Sequence, residues 1–310
     1  MTYFSVVIAV FNKEKYIANT LKSVLEQTYQ NFEIVILNDG STDNSEAEIL
    51  KFKDSRIRYF SKENQGAGAA RNFVIKEAKH DYIALLDADD SWLPCYLEEQ
   101  AKMISAFPEE SVFATAIDVE KKGKIYPSEY SVPNLQLNEV RVVNFYEASC
   151  LNSILTSSST VLHKKVFSNI GYYDPSIKSG QDTDLWIRLG LEFSVVFLNK
   201  TCAVYQYALA SLSNSNLKVS QKATFEKFEP FEKDNAPLKK FLDLNRYSLC
   251  IFARLEGNEA VFKKNFEKIN QQNLSKRQQF LLKQNGTILK SFLKAKNNLE
   301  KLGLRLGTFK

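Results

Sequence analysis

Leu85-Leu86-Asp87-Ala88-Asp89-Asp90 ends a strongly apolar run in three carboxylates. Alternate residues of extended chain project to one side, so Asp87 and Asp89 are expected to face a common locus. Like charges held that close repel unless a cation lies between them or protonation relieves them. A hard divalent ion, Mn²⁺ or Mg²⁺, suits oxygen ligands of this kind and keeps coordination positions for water and substrate phosphates. An acidic strand end taken alone is equally a solvated loop; its place at the carboxyl edge of a sheet favours the metal reading.

Four further clusters carry candidate chemistry. Gly180-Gln181-Asp182-Thr183-Asp184 is a glycine-led entry to an amphipathic helix, where capping by Asp182 or Asp184 would account for the acids without any reaction. In Asn38-Asp39-Gly40-Ser41-Thr42-Asp43, Asp39 could accept a base N–H and Ser41 or Thr42 could cap the next helix. From Asn64 to Asn72, Gly66 and Gly68 permit close backbone approach, the helix start favours an anion, and Arg71 could contact a diphosphate or order the donor loop. Phe11, closing Ile8-Ala9-Val10-Phe11-Asn12, offers a ring for stacking on a base. Gly66 and Gly68 also half-match a dinucleotide fingerprint, but Arg71 replaces the third glycine and the match follows the wrong strand, which disfavours a nicotinamide enzyme.

These clusters must sit on a scaffold, and the apolar pattern predicts one. Tyr3–Val10, Phe32–Leu37, Ile57–Phe60 and Tyr82–Leu86 are near-continuously apolar, as parallel strands covered on both faces are. Ile17, Leu21, Val24 and Leu25, then Ala69, Ala70, Phe73 and Val74, recur at helical spacing between them. Alternation of strand and helix predicts an α/β, doubly wound sheet. Beyond residue 110 the expectation is a strand at Val112–Val119, a turn at Lys122-Gly123, a polar loop to about residue 150 and a strand at Ser159–His163. After Val219 glycine is scarce, and Leu281, Leu282, Ile288, Leu289, Phe292 and Leu293 are expected on one helical face with lysines opposite.

The chain has 310 residues, 44% hydrophobic, with a formal charge of +5. That length supports one full α/β core plus a smaller appended region. The modest charge disfavours a nucleic-acid binder. Cys95, Cys150, Cys202 and Cys250 show no metal-ligand spacing and are expected to be small buried hydrophobes in a reduced compartment. No stretch approaches the ~20 apolar residues of a membrane span and the first ten residues lack a leader pattern, so a cytoplasmic protein, at most peripheral on the membrane, is expected.

In order along the chain, Val7 to Asn12, Asn38 to Asp43, Asn64 to Asn72, Asp87-Ala88-Asp89 and Gln181-Asp182 resemble the pattern of glycosyltransferase family 2. The resemblance implies a GT-A fold, a Rossmann-like nucleotide-diphospho-sugar transferase architecture, and an inverting transfer from a nucleotide sugar. It implies Phe11 and Asp39 at the base, Arg71 near the diphosphate, Asp87 near the ribose, Ala9 and Ala88 among the nucleotide-sugar-binding residues, Asp89 on the metal and Asp182 as general base. Uracil is the base it favours. A saccharide or lipid-linked saccharide of a bacterial surface glycan is the acceptor it favours. Residues 1–215 would form the catalytic domain, with 1–110 holding the donor and 111–215 facing the acceptor, and 216–310 a C-terminal helical region.

The chain departs from the usual family pattern at Ala9, where proline or threonine is common, at Phe11, where tyrosine is common, and at Gln181, where glutamate usually precedes the base. None removes the implied metal ligand or base. Trp92 and Trp186 lie near the acidic clusters and could stack on sugar rings or fill the core. Two rivals stand beside this reading. A sugar nucleotidyltransferase would carry a glycine-rich basic loop after the first strand, where Asn12-Lys13-Glu14-Lys15 supplies two lysines and no glycine; a non-catalytic nucleotide-sugar scaffold would not need Asp89 and Asp182. The basic, apolar-striped tail could dock on anionic lipid, contact a second subunit or pack on the catalytic domain.

Overall fold

A computed structural model describes residues 1–207 and 218–301. The chain divides into two compact units, Met1–Ser215 and Asn216–Lys310.

In the first unit, β1 (Phe4–Val10), α1 (Ile17–Leu25), β2 (Phe32–Asp39), α2 (Ser45–Leu50), β3 (Ile57–Lys62), α3 (Ala67–Glu77) and β4 (Tyr82–Leu85) form the alternating half. β1 pairs in parallel with β2 and with β4, and β2 with β3. Val10 lies opposite Asn38, Asp39 opposite Lys62 and Val7 opposite Leu85, so the four carboxyl ends share one sheet edge. Burial explains why these runs are apolar on both faces. Val6, Ile8, Val10, Ile34 and Ile36 on one face have no exposed surface and cluster with Ile17, Leu21 and Val24 of α1. Val7, Val35 and Leu37 on the other are at most 3% exposed, with α3 packed against β1 and β2. Each such side chain contributes roughly 1.5–3 kcal/mol.

The second half adds β5 (Ser91–Trp92), α4 (Tyr96–Ala106), β6 (Val112–Lys121), β7 (Lys124–Pro127), β8 (Val140–Val143), α5 (Phe145–Ala148), β9 (Thr160–His163), α6 (Lys165–Ile170), α7 (Gln181–Glu192) and β10 (Val195–Gln206). The sheet runs β3-β2-β1-β4-β9-β6-β10-β5, with β7 on β6 and β8 on β10. The stretch expected as polar loop up to residue 150 thus contains two strands and a helical turn. Both strands are only four residues long, so the β-branched and aromatic residues they carry, Ile125, Tyr126, Val140, Val142 and Val143, do not stand out from the polar stretch around them.

Among the described residues the second unit is helical: α8 (Glu229–Glu232), α9 (Ala236–Glu256), α10 (Glu259–Phe266), α11 (Lys276–Leu282) and α12 (Gly286–Lys301). Asn235 caps α9 by accepting from the Leu238 N–H at 3.0 Å, and Gly257 closes it at φ +78°. Arg246, 2% exposed, pairs with Glu232, and fully buried Asp243 accepts from Asn270 N at 3.1 Å and Asn273 Nδ2 at 2.8 Å. A Cβ on Gly286 would meet the Arg254 carbonyl oxygen at 2.2 Å, so only glycine lets α12 start against α9. The expected single apolar stripe is divided: Leu281, Leu282 and Leu289 are buried, whereas Ile288 and Phe292 are 38% and 41% exposed. Turning by about 100° per residue puts Ile288 and Phe292 beside Leu289, on the rim of its face.

Candidate active site

The site lies along the carboxyl edge of β1, β2 and β4, where two loops are stitched together. Asn12 N–H donates to Ser41 Oγ (3.0 Å), Thr42 N–H to Asn12 Oδ1 (2.8 Å), Lys13 N–H to Ser45 Oγ (2.7 Å) and Glu14 N–H to Asp43 Oδ2 (3.0 Å). Asn12 takes a left-handed φ of +52°, a conformation asparagine tolerates better than most residues. The expected helix cap at Ser41 or Thr42 is therefore corrected. Asn44 occupies the α2 N-cap position, without a side-chain cap, and the Ser41 hydroxyl serves Asn12 instead.

Asp39, 2% exposed, accepts from Gln65 N–H and Gly66 N–H, both at 3.0 Å, and so ties the end of β2 to the start of α3. Each of its oxygens keeps a second lone pair, which a base N–H would share with that loop. Gly40 makes the joint possible: its φ is +69°, and a Cβ there would lie 2.7 Å from Asn64 N. Phe11 is 46% exposed at the end of β1, open to a ring-shaped ligand. Ala9 is partly buried within β1, opposite Leu37.

After β4 the chain leaves extended geometry, with Asp90 N–H donating to the Asp87 carbonyl at 3.1 Å. The alternation expected to aim Asp87 and Asp89 at one locus does not apply on this turn, and each carboxylate has its own cation. Arg71 Nη2 donates to Asp87 Oδ1 at 2.6 Å, and the Lys13 ammonium pairs with Asp89. The two acids are still neighbours: burial and the Asp87 charge push the Asp89 carboxyl upward, against the pull of Lys13. Asp90 is 2% exposed, accepts from Ser158 Oγ and from Gln206 N–H (2.9 Å), and is driven well above the usual carboxylate range by burial and by both neighbours. Ala88 is buried in the core and its carbonyl accepts from Thr20 Oγ1 at 3.0 Å, so its side chain is closed to a ribose.

Arg71 also reaches the second acidic cluster. Its Nη1 lies 3.7 Å from Asp182 Oδ1, and its guanidinium stands 5.5 Å from the Tyr173 ring centroid. Burial opposes the charge on Arg71, but Asp182 and Asp87 together hold its pKa well above the ordinary value. Nη1 is buried without a hydrogen-bond partner, its nearest acid being Asp182. Asp182 sits in the first turn of α7, its side chain 38% exposed, and its Oδ1 accepts from Ser157 Oγ at 2.9 Å. Neither Asp182 nor Asp184 caps the helix: Gly180 holds the N-cap position at φ +88°, and Asp184 pairs with Arg188. Gln181 is buried beside them.

The two tryptophans are core residues. Trp92 is 4% exposed, stacked on Tyr96 with centroids 4.1 Å apart, and donates Nε1–H to the Ser158 carbonyl; Trp186 is 3% exposed. Neither ring is open to a sugar. Conversely, Lys13, Ser157, Ser158 and Tyr173 belong to the site without having been singled out. A run of five hydroxyl residues, Thr156 to Thr160, that leads into β9 is the one signal for two of them.

The family model described as glycosyl transferase family 2 matches residues 5–171, more than half of the chain. The chain belongs to glycosyltransferase family 2. This family 2 chain is similar to an uncharacterized glycosyltransferase of Rickettsia felis, 33% identical over 189 residues that cover 60% of the chain and 31% of that protein. It thus spans about a third of the length of such curated relatives. The Escherichia coli UDP-Glc:alpha-D-GlcNAc-diphosphoundecaprenol beta-1,3-glucosyltransferase WfgD is 41% identical over 101 residues, 32% of this chain and 40% of that protein. The crystal structure of S. aureus TarS 1–349 in complex with UDP-GlcNAc superposes with a TM-score of 0.58 at 19% identity, over 86% of this chain and 72% of that one. At that identity the likeness shows the fold, which is GT-A with a helical C-terminal region.

Proposed function

We propose that this chain is an inverting glycosyltransferase that moves a sugar from a UDP-sugar to an acceptor hydroxyl. The observation that carries the reading is the bridge Asp87–Arg71–Asp182, in which one guanidinium joins the donor edge of the sheet to a half-exposed carboxylate on α7. A nucleoside diphosphate at the edge would find Phe11 and Asp39 for its base beside Ala9, Asp87 for its ribose, and the Arg71 guanidinium for its phosphates. The acceptor oxygen attacks the anomeric carbon from the face opposite the leaving diphosphate as Asp182 takes the hydroxyl proton. The bond from anomeric carbon to phosphate oxygen breaks, its electron pair stays on the diphosphate, and one displacement inverts the centre.

The donor set fits a divalent ion completed by substrate. Among the described residues no group of three or more histidine, cysteine, aspartate or glutamate side chains forms a ready cage. Asp89, with Asp87 beside it, offers the one or two carboxylates with which Mg²⁺ or Mn²⁺ is held against substrate phosphates. Such an ion, when bound, would offset the charge gathering on the leaving diphosphate. The names of WfgD, with its UDP-Glc donor and diphosphoundecaprenol-linked acceptor, and of the TarS complex with UDP-GlcNAc support a UDP-sugar and a lipid-linked saccharide acceptor. Calorimetric titration tests the donor site. UDP should bind with Mn²⁺ and bind more weakly or not at all with EDTA, while GDP is the weaker ligand throughout. No binding of either by folded protein would overturn the reading.

We further propose that α11 and α12 rest on an anionic membrane surface, on its cytoplasmic face. No described helix is long and apolar enough to cross a bilayer. Phe280, Ile288 and Phe292 are exposed apolar residues, and Lys283, Lys290 and Lys294 of the same segment are exposed as well, the combination of apolar and basic groups that interfacial helices bring to acidic headgroups. Replacing Lys290 and Lys294 with glutamine should lower sedimentation with phosphatidylglycerol vesicles by roughly 30-fold, at about 1 kcal/mol per lysine. Equal sedimentation of wild type with phosphatidylcholine and phosphatidylglycerol vesicles would sink the proposal.

A further inference from the structure

Lys13 is held by its backbone. Its N–H donates to Ser45 Oγ at 2.7 Å, and its carbonyl accepts from Tyr16 N–H (2.9 Å) and Ile17 N–H (3.0 Å) at the start of α1. On either side, Asn12 and Glu14 are bonded to the loop after β2. A residue fixed at both backbone groups and both neighbours has a fixed Cα–Cβ direction, and its flexible stem sweeps a cone about that bond. That cone takes in Asp89: the ammonium pairs with Asp89 Oδ2, with the two side chains 23% and 11% exposed. The donor edge therefore holds two carboxylates, each with a cation from the chain, Asp87 with Arg71 and Asp89 with Lys13.

The two cations differ in kind. Arg71 is a planar fork engaged by two acids and by the Tyr173 ring, whereas Lys13 is a compact point charge at the end of a flexible four-carbon stem. An ammonium and a divalent ion compete for the same carboxylate oxygen. A diphosphate bound at this edge would bring more negative charge than one divalent ion offsets, and the displaced ammonium needs a new partner close by.

We propose that Lys13 is a movable counter-cation of the donor site: it neutralises Asp89 in the free protein, yields that carboxylate to the divalent ion, and then binds the donor diphosphate. The inference rests on the reading of Asp89 as the metal-holding residue. It makes Lys13 a competitor of the metal and a partner of the nucleotide, and these two roles have opposite signs in one variant.

Lys13→Gln tests both signs. Mn²⁺ binding to the protein alone, read from the free-ion signal in electron paramagnetic resonance, should tighten by roughly tenfold when the competing ammonium is gone. UDP affinity at saturating Mn²⁺, where the proposed exchange has taken place, should fall by roughly tenfold by calorimetry because a charge-assisted bond to phosphate is lost. Lys13→Arg, which keeps the charge, should restore UDP binding at saturating Mn²⁺, and thermal melting of each variant reports folding independently. Unchanged Mn²⁺ and UDP affinities in folded Lys13→Gln would overturn this inference and leave the donor-site reading standing. Weaker Mn²⁺ binding in that variant would also overturn it, by making Lys13 a support of the metal. Failure of wild-type protein to bind UDP under any condition would instead remove the donor-site reading, and this inference with it.

Discussion

Asp182→Asn is expected to stop sugar transfer while leaving UDP binding at its wild-type strength. Asparagine fills the same volume, and its Oδ1 can still accept the Ser157 hydroxyl, so the first turn of α7 keeps its geometry. Arg71 retains Asp87 at 2.6 Å, so the guanidinium stays on the donor edge. An amide cannot take up the proton of an attacking hydroxyl, and losing a positioned general base costs about 10²–10⁴-fold in rate. The measurement is kcat for transfer from a UDP-sugar to the best acceptor found for wild type, beside calorimetric UDP affinity. Transfer by Asp182→Asn at the wild-type rate would remove Asp182 as the base. Loss of UDP binding would mean instead that the Asp182 carboxylate holds Arg71 in place for the donor.

What was legible in the sequence follows from what burial does to composition. β1 to β4 are covered on both faces, so their residues are apolar almost without interruption, and their order with intervening helices dictates a doubly wound sheet. β7 and β8 are four residues long, so Ile125-Tyr126 and the valines of Val140–Val143 carry a strand signal too short to stand out from the polar stretch around them. The acidic run at 87–90 was legible as a carboxylate cluster, but its geometry was not. A turn over Asp87–Asp90 follows the apolar run directly, and Asp87, Asp89 and Asp90 each find a partner elsewhere in the chain, in Arg71, Lys13 and Ser158. Such pairings depend on the register of loops, which hydrophobic periodicity does not encode. The same limit applies to Trp92 and Trp186, whose proximity to acids in sequence says nothing about which face of an element they occupy. It applies to α12 as well, where a stripe of six apolar residues could not reveal which of them meet α9.

Asp89→Ala is expected to abolish the metal dependence of UDP binding, leaving an affinity in Mn²⁺ equal to that in EDTA. The substitution removes the carboxylate nearest the proposed ion and strands the Lys13 ammonium, whose side chain is only 23% exposed. An unpaired, partly buried ammonium is itself costly, so the variant has two effects, loss of the metal site and loss of an ion pair. Asp89→Asn separates them: its amide oxygen still accepts from Lys13, so folding is preserved, but a neutral oxygen is a far poorer ligand for a hard divalent ion. Both variants should melt cooperatively, with Asp89→Asn closer to wild type, and neither should gain UDP affinity when Mn²⁺ is added. Lys13→Gln provides the opposing arm, since it frees the carboxylate rather than deleting it and should strengthen Mn²⁺ binding where Asp89→Ala destroys it. If Asp89→Asn keeps the full Mn²⁺ enhancement, the ion is held by other groups, and Asp89 is there to anchor Lys13.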